Sequence, residues 1–258
     1  MITILSPSKT QEFDNKNRTK SHTHPEFTLD TKELLDTIQK KDIEELQEVM
    51  DISERLAFLN YNRFQDMQFP FNPKYDRQAI VAFRGDVYDG LDSDTLTDED
   101  LYFAQDNLRI ISGFYGILRP FDLIQPYRLE MKTALKTSRG KNLYEFWGKF
   151  LTDYFNTRYP NETILNLASQ EYSKAIFNRH FKLKQIVPLF KEEKDGELKT
   201  VAIYAKRARG KMARYIIQNK IKQESKLKSY DEDGYKFNAD LSDETEWVFT
   251  RPRPEKAK

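Results

Sequence analysis

The chain has no cysteine, three histidines and nine glycines in 258 residues. Without cysteine there is no disulfide, zinc–thiolate site, iron–sulfur cluster or thiol nucleophile. Thiol oxidation chemistry is excluded with it. His22 and His24 lie in a polar loop without nearby acids, an arrangement that rarely makes a metal site, so the three histidines, with His180, are read as surface residues and no metal and no cofactor is expected. Long apolar runs are missing too. No stretch approaches the roughly 18 residues that span a bilayer. Met1–Leu5 is too short for a signal peptide and has no basic flank. The expected location is the cytoplasm, away from membranes.

An excess of charge of one sign is also absent, since the net charge is +1. The distribution is uneven. Residues 1–100 hold 12 Lys/Arg against 21 Asp/Glu, residues 101–230 hold 25 against 12, and residues 231–258 hold 5 against 8. Between Lys199 and Lys228 ten basic residues face one acid. A basic middle between acidic ends points to a polyanion such as nucleic acid; the plainer alternative is a solvated surface.

Apolar residues are 38% of the chain and include 32 Phe and Tyr, enough for a globular core. Ile2–Leu5 reads as a first strand, residues 14–30 as an irregular loop, and Asp42–Asn60 as one amphipathic helix. Ala79–Phe83 reads as a buried strand. Thr97 followed by three acids opens a helix whose apolar positions run on through Leu101, Ala104, Leu108 and Ile111. Asn142–Tyr159 reads as a helix, and Thr163–Leu167, Gln185–Phe190, Thr200–Ala205 and Trp247–Thr250 as strands. Lys206–Lys220 reads as a basic helix, and residues 251–258 as a ragged tail. Strands and helices interleave without a regular βαβ beat. The expectation is a single mixed α+β domain over residues 1–258.

Several segments carry chemistry. In Leu108–Arg119 a helix-like run meets Ser112, Gly113 and, three residues on, Gly116. This reads as a hairpin between two helices. Its glycine amides would form a nest for a phosphate, aided by Arg109 and Arg119; the alternative is an ordinary tight turn. Pro126–Met131 is stiffened by its proline, and Arg128 and Glu130 share a face of an extended segment, to meet a ligand or to pair with each other. Phe83–Leu91 carries Arg84, Asp86 and Tyr88 after an apolar run; a structural turn is the alternative to a site. Lys9 follows the first strand, but the glycines of a Walker loop are missing. In Ala205–Arg214, Ala205, Ala208 and Met212 form a small apolar stripe. Lys206, Arg207, Arg209, Lys211 and Arg214 cover the rest and suit a phosphate backbone better than solvent, because like charges at these spacings repel.

Taken in order, Leu5–Thr10 (LSPSKT), Phe83–Leu91 (FRGDVYDGL), Ile111–Pro120 (ISGFYGILRP), Pro126–Met131 (PYRLEM), Phe146–Gly148 (FWG), Asn166–Ser169 (NLAS) with Glu171 and Tyr172, and Ala205–Gly210 (AKRARG) resemble the YaaA peroxide-stress family. Ser8 stands where that family usually has Ala, and Arg84 where it often has Lys. The resemblance implies an α+β fold with a positively charged cleft and a helix-hairpin-helix-like element on Leu108–Arg119. It also implies DNA binding and a role in limiting free iron under peroxide stress. The cleft would draw on Lys9, Arg84, Arg119, Arg128, Lys206, Arg207 and Arg209. The leading expectation is a protein that grips DNA by its phosphates with little sequence preference. The rival is an enzyme acting on a small phosphorylated or nucleotide-like substrate in the same cleft, with Asp86, Tyr88, Lys9 and Glu130 as acid–base candidates.

Overall fold

The computed structural model describes residues 1–254. Along the chain the strands are β1 (Ile2–Leu5), β2 (Thr10–Gln11), β3 (Arg77–Gln78), β4 (Phe83–Arg84), β5 (Leu108–Ser112), β6 (Gly116–Leu118), β7 (Leu123–Ile124), β8 (Ile164–Asn166), β9 (Gln185–Lys194), β10 (Glu197–Lys199), β11 (Lys236–Phe237) and β12 (Glu246–Pro252). The helices are α1 (Thr28–Ile38), α2 (Ile43–Met50), α3 (Glu54–Gln65), α4 (Ala79–Ala82), α5 (Asp86–Leu91), α6 (Asp98–Asn107), α7 (Leu143–Trp147), α8 (Phe150–Arg158), α9 (Gln170–Ser173) and α10 (Ala202–Gln218). Helices and a mixed sheet make an α+β fold.

The main sheet runs β11-β12-β9-β8-β1-β5-β6, with β10 on the edge of β9. From β12 to β5 every neighbour is parallel. β1 lies at the centre, Thr3 opposite Leu108 of β5 and Leu165 of β8. All four residues of β1 are buried, as are all five of β5 and all three of β8. A parallel sheet covered on both faces favours mostly apolar strands, and ITIL and LRII supply them, with Thr3 and Arg109 as buried exceptions.

That demand explains the main departure from the sequence reading. The helix opened by Thr97 has the expected capping box, with Thr97 and Asp100 each accepting the other's amide. It stops at Asn107. Leu108–Ser112 then pairs with β1, and β6 folds back on it antiparallel, Ser112 opposite Gly116. The expected helix-hairpin-helix element on Leu108–Arg119 is therefore a β-hairpin in the core. Apolar residues at helical spacing continue through 108–111, but two adjacent isoleucines favour a strand that is buried on both sides.

Other differences have local causes. Asp42–Asn60 is two helices, α2 and α3, because Asp51 turns left-handed with φ 51°. Ala79–Ala82 is a single helical turn before the two residues of β4. Gly148, at φ 46°, parts α7 from α8 within Asn142–Tyr159. Residues 202–205 belong to α10 and not to a strand. β12 continues to Pro252, and the Arg253 amide donates to Glu193 O, so the expected ragged tail is held this far; its last residues, 255–258, lie outside the described residues.

α10 packs against α5 through paired glycines. A Cβ at Gly90 would stand 2.3 Å from Arg207 O, and one at Gly210 would stand 1.8 Å from Val87 O. The glycine of AKRARG is there so that two helix backbones can touch.

Candidate functional site

Parallel strands end together at their carboxyl edge. The chain leaving β1 later joins the sheet on one side as β5, whereas β8 is followed on the other side by β9. The crevice beyond β1 and β8 is thus a topological switch point, the usual position of a ligand in such sheets. Here Ser6 Oγ accepts from the Ser169 amide at 2.8 Å and donates to Ser169 Oγ at 3.2 Å, tying the two strand ends. Tyr88 Oη donates to Ser6 O at 2.9 Å. A Cβ at Gly85 would meet Ser8 Oγ at 3.3 Å, which brings the FRGD turn against the loop after β1.

The segment Pro126–Met131 lies over this edge. Tyr127 Oη and Ser112 Oγ are 2.7 Å apart, and a Cβ at Gly113 would fall 2.4 Å from Leu129 O. The hairpin turn is a seat for that segment, which presents Glu130. The Glu130 carboxylate is 7% exposed and faces three cations: Lys9 Nζ at 2.9 Å, Arg128 Nη2 at 3.1 Å and Lys132 Nζ at 3.7 Å. Burial pushes its carboxyl up, and hydrogen bonds and charge from Lys9 and Arg128 more than reverse this, so it ends below the ordinary glutamate value. Glu171 Oε1 accepts from the Lys132 amide at 3.1 Å, so two carboxylates stand with the three cations and the cluster is net positive by one. Arg128 Nε is buried with no hydrogen-bond partner, a state that costs about 1–3 kcal/mol unless a water or ion fills it. The cavity here, between Ser8, Lys9, Arg128, Glu130 and Tyr172, is about 10 Å³.

The other expected site residues divide. Lys206 reaches this end of the molecule through Asp86, at 3.6 Å. Arg207 is exposed, and Arg209 is half-buried. Neither has a carboxylate within ion-pair distance among the described residues, and burial pulls the Arg209 guanidinium below its usual pKa. Arg84 is held between Glu12 (2.7 Å) and Asp94 (3.2 Å) at a cavity of about 560 Å³. Four carboxylates and three cations line that cavity, so it does not favour an anion.

Arg119 is bound to Asp122, which also accepts from Thr23 Oγ1 at 2.6 Å. Lys211 pairs with Asp233. Arg214 donates to Leu91 O (3.0 Å) and Asp92 O (2.7 Å), capping the end of α5.

Four expected phosphate contacts are corrected. Arg109 is 5% exposed and spends its donors on Tyr159 (3.0 Å), Tyr154 (3.2 Å) and the carbonyl of Gln105 (2.9 Å). Ser112, Gly113 and Gly116 are buried, and Gly113 O accepts from Trp147 Nε1 at 3.0 Å. A phosphate nest at this hairpin has no access to solvent.

Lys132, Ser169 and Tyr172 were not singled out by sequence reasoning as site residues. For Lys132 a signal existed, since it continues the alternation of Arg128 and Glu130 in an extended segment. Ser169 and Tyr172 gave none beyond the family-like phrase, because only the pairing of β8 with β1 brings them here. Among the described residues no group of three or more His, Asp or Glu is placed to hold a metal ion, and no helix is long and apolar enough to cross a membrane.

Comparison with known proteins places these features in a family. A family model described as peroxide stress protein YaaA matches residues 1–241. A UPF0246 protein of Acaryochloris marina is 48% identical over 97% of this chain and 100% of its own length. Relatives with the same description from Cellvibrio japonicus and Ralstonia pickettii are 45% and 46% identical over 98% and 97% of the chain. The chain belongs to the YaaA peroxide stress protein family.

Proposed function

We propose that this protein binds nucleic acid through its phosphates, at the carboxyl edge of the parallel strands, as part of a response to peroxide stress. One observation carries the reading. Lys9, Arg128 and Lys132 all pair with the Glu130 carboxylate, and the cavity beside it, about 10 Å³, has room for about one water and is too small to enclose a substrate. Positive charge on an open surface suits a polyanion that lies across it. Arg207 and Arg209 extend the charge along α10. With the hairpin nest gone, side chains do the gripping, and phosphate contacts of this kind position a duplex without reading its sequence.

The rival reading, catalysis on a small phosphorylated or nucleotide-like substrate, has less support. Glu130 is held ionised by its cations, and burial, with Tyr127 and Tyr172 nearby, pushes the Tyr88 hydroxyl well above its ordinary value. Neither is poised to exchange a proton near neutrality.

The test is a double variant, Arg207→Ala with Arg209→Ala, in fluorescence anisotropy with a labelled duplex. Affinity is expected to fall about tenfold, roughly 1.4 kcal/mol, with an unchanged thermal melt, because neither side chain has an ionic partner to lose. Unchanged affinity in a variant that melts like the parent removes α10 from the interface.

A further inference from the structure

We propose that Arg209 is the inner anchor of the nucleic-acid interface: it reaches from the packed side of α10 toward the carboxyl edge of the sheet and holds one backbone phosphate by two oxygens, while Arg207 adds charge from outside. The inference rests on the nucleic-acid reading above and names the residue that fixes a phosphate there.

Helix geometry sets the two arginines apart. Residues two apart on an α-helix are rotated by about 200°, so Arg207 and Arg209 leave α10 on nearly opposite sides. The neighbours of Arg209 on its own face, three and four residues away, are Ala205, Lys206, Met212 and Ala213. Ala205, Met212 and Ala213 are buried, and Arg209 is half-buried among them. Arg207 is exposed. Small alanines at 205, 208 and 213 leave room for the apolar stem of Arg209 along the packed side.

Direction follows from the same geometry. Side chains on a helix lean toward its N-terminus. The start of α10 lies at the carboxyl edge. The Val201 amide donates to Glu192 Oε2 at 3.2 Å, near the end of β9, and Lys206 Nζ lies 3.6 Å from Asp86, which follows the Gly85 turn against Ser8. The Arg209 guanidinium is therefore aimed at the edge where β1 and β8 end.

Nothing in the fold occupies it. Lys206 is answered by Asp86, and Arg251 by Glu192. Arg109 and Arg214 are given carbonyl oxygens. Among the described residues Arg209 has no carboxylate within ion-pair distance and no hydrogen-bond acceptor, and burial pulls its pKa down. Its nitrogens are not sealed from solvent. A half-buried cation without a counter-charge carries a desolvation cost that a bound anion offsets. Each backbone phosphate carries one negative charge, which matches the one charge of Arg209. Its two non-bridging oxygens match two parallel N–H groups of the planar guanidinium, a grip that a lysine ammonium cannot reproduce.

The experiment compares full-length Arg209→Ala, Arg209→Lys, Arg207→Ala and Arg207→Lys in fluorescence anisotropy with one labelled duplex at fixed salt. Arg209→Ala and Arg209→Lys are each expected to weaken binding about fivefold, Arg207→Ala no more than about twofold, and Arg207→Lys not at all. Thermal melts check folding. Arg209→Lys keeps both stem and charge, so its loss of affinity at a parental melt isolates the guanidinium. In protein carrying isotope-labelled arginine, the Arg209 Nε–H signal, assigned by its absence in Arg209→Lys, should move when duplex is added.

An Arg209→Lys protein that binds like the parent, or an Nε–H signal that stays in place, overturns the two-oxygen grip. A loss in Arg207→Ala as large as that in Arg209→Ala overturns the inner anchor. In each case duplex binding that still weakens steeply with salt leaves the nucleic-acid reading standing. Absence of duplex binding by the parent at low salt overturns that reading and this inference with it.

Discussion

Replacing Gly210 with alanine tests the geometry that holds α10 in place. An alanine in a helix interior is worth about 1 kcal/mol over glycine, so on propensity alone the variant is stabilised. The crossing with α5 opposes this. The added Cβ would stand 1.8 Å from Val87 O and 2.8 Å from Leu91 N, both backbone atoms. Relief to 3.0 Å, the limit below which real Cβ contacts essentially do not occur, requires a shift of about 1.2 Å. Gly90 closes the same crossing from the other side, where an added Cβ would stand 2.3 Å from Arg207 O, so neither helix can slide without losing contact. Overpacking costs about 1–3 kcal/mol and sometimes more, and an obstacle made of backbone belongs at the upper end. The net expectation is a loss of about 2 kcal/mol, a fall in melting temperature of roughly 4–8 °C for a chain of this size. Urea denaturation with a thermal melt measures it. Gly196→Ala is the control: nothing lies within 4 Å and φ is +78°, so only backbone strain of about 1 kcal/mol is expected. A Gly210→Ala protein as stable as the parent would refute the close crossing.

Glu130→Gln removes the internal anion that competes for Lys9, Arg128 and Lys132, so nucleic-acid affinity at fixed salt should rise several-fold; an unchanged or lower affinity counts against the cluster as the grip. The same variant tests linkage. Because the Glu130 carboxyl is lowered in the folded protein, its stabilising contribution is present above the unfolded glutamate value of about 4.3 and is lost as pH falls through the lower folded value. Melts of parent and variant should therefore differ at pH 7 and converge in acid, and a difference independent of pH would contradict this. Gly116→Ala should cost stability, through φ +72° and Trp147 ring atoms 2.9 Å from the new Cβ, while the folded fraction keeps its affinity; loss of binding without loss of stability would restore a role for the hairpin in phosphate contact.

The start of α6 and the central strand were legible from residues alone. Thr97 with Asp100 announces α6, and the apolar run Ile2–Leu5 announces β1. The interior of the sheet was not. Leu108–Ser112 has apolar residues in both helical and strand register, and only its place beside β1 decides. Gly113 and Gly116 were visible as exceptional and Gly210 was not, and a glycine required by a neighbouring backbone looks, in sequence, like a glycine offered to a phosphate. Which basic residues are paired was not legible, because a run of Lys and Arg does not reveal where its carboxylates come from. Arg84, Arg119, Lys211 and Arg214 find partners far along the chain or a turn away. Lys9 and Arg128 share their one carboxylate with Lys132 and remain in excess.

The central claim is that phosphates are bound by this edge of the sheet, and the dependence of duplex affinity on salt tests it most directly. Each phosphate neutralised should contribute about −0.9 to the slope of log affinity against log salt, and the Lys9–Arg128–Lys132 cluster together with α10 predicts a slope steeper than about −2. The slope should become shallower in the Arg207→Ala, Arg209→Ala protein. A slope near zero between low and physiological salt, or one that the loss of these arginines leaves unchanged, would contradict the account.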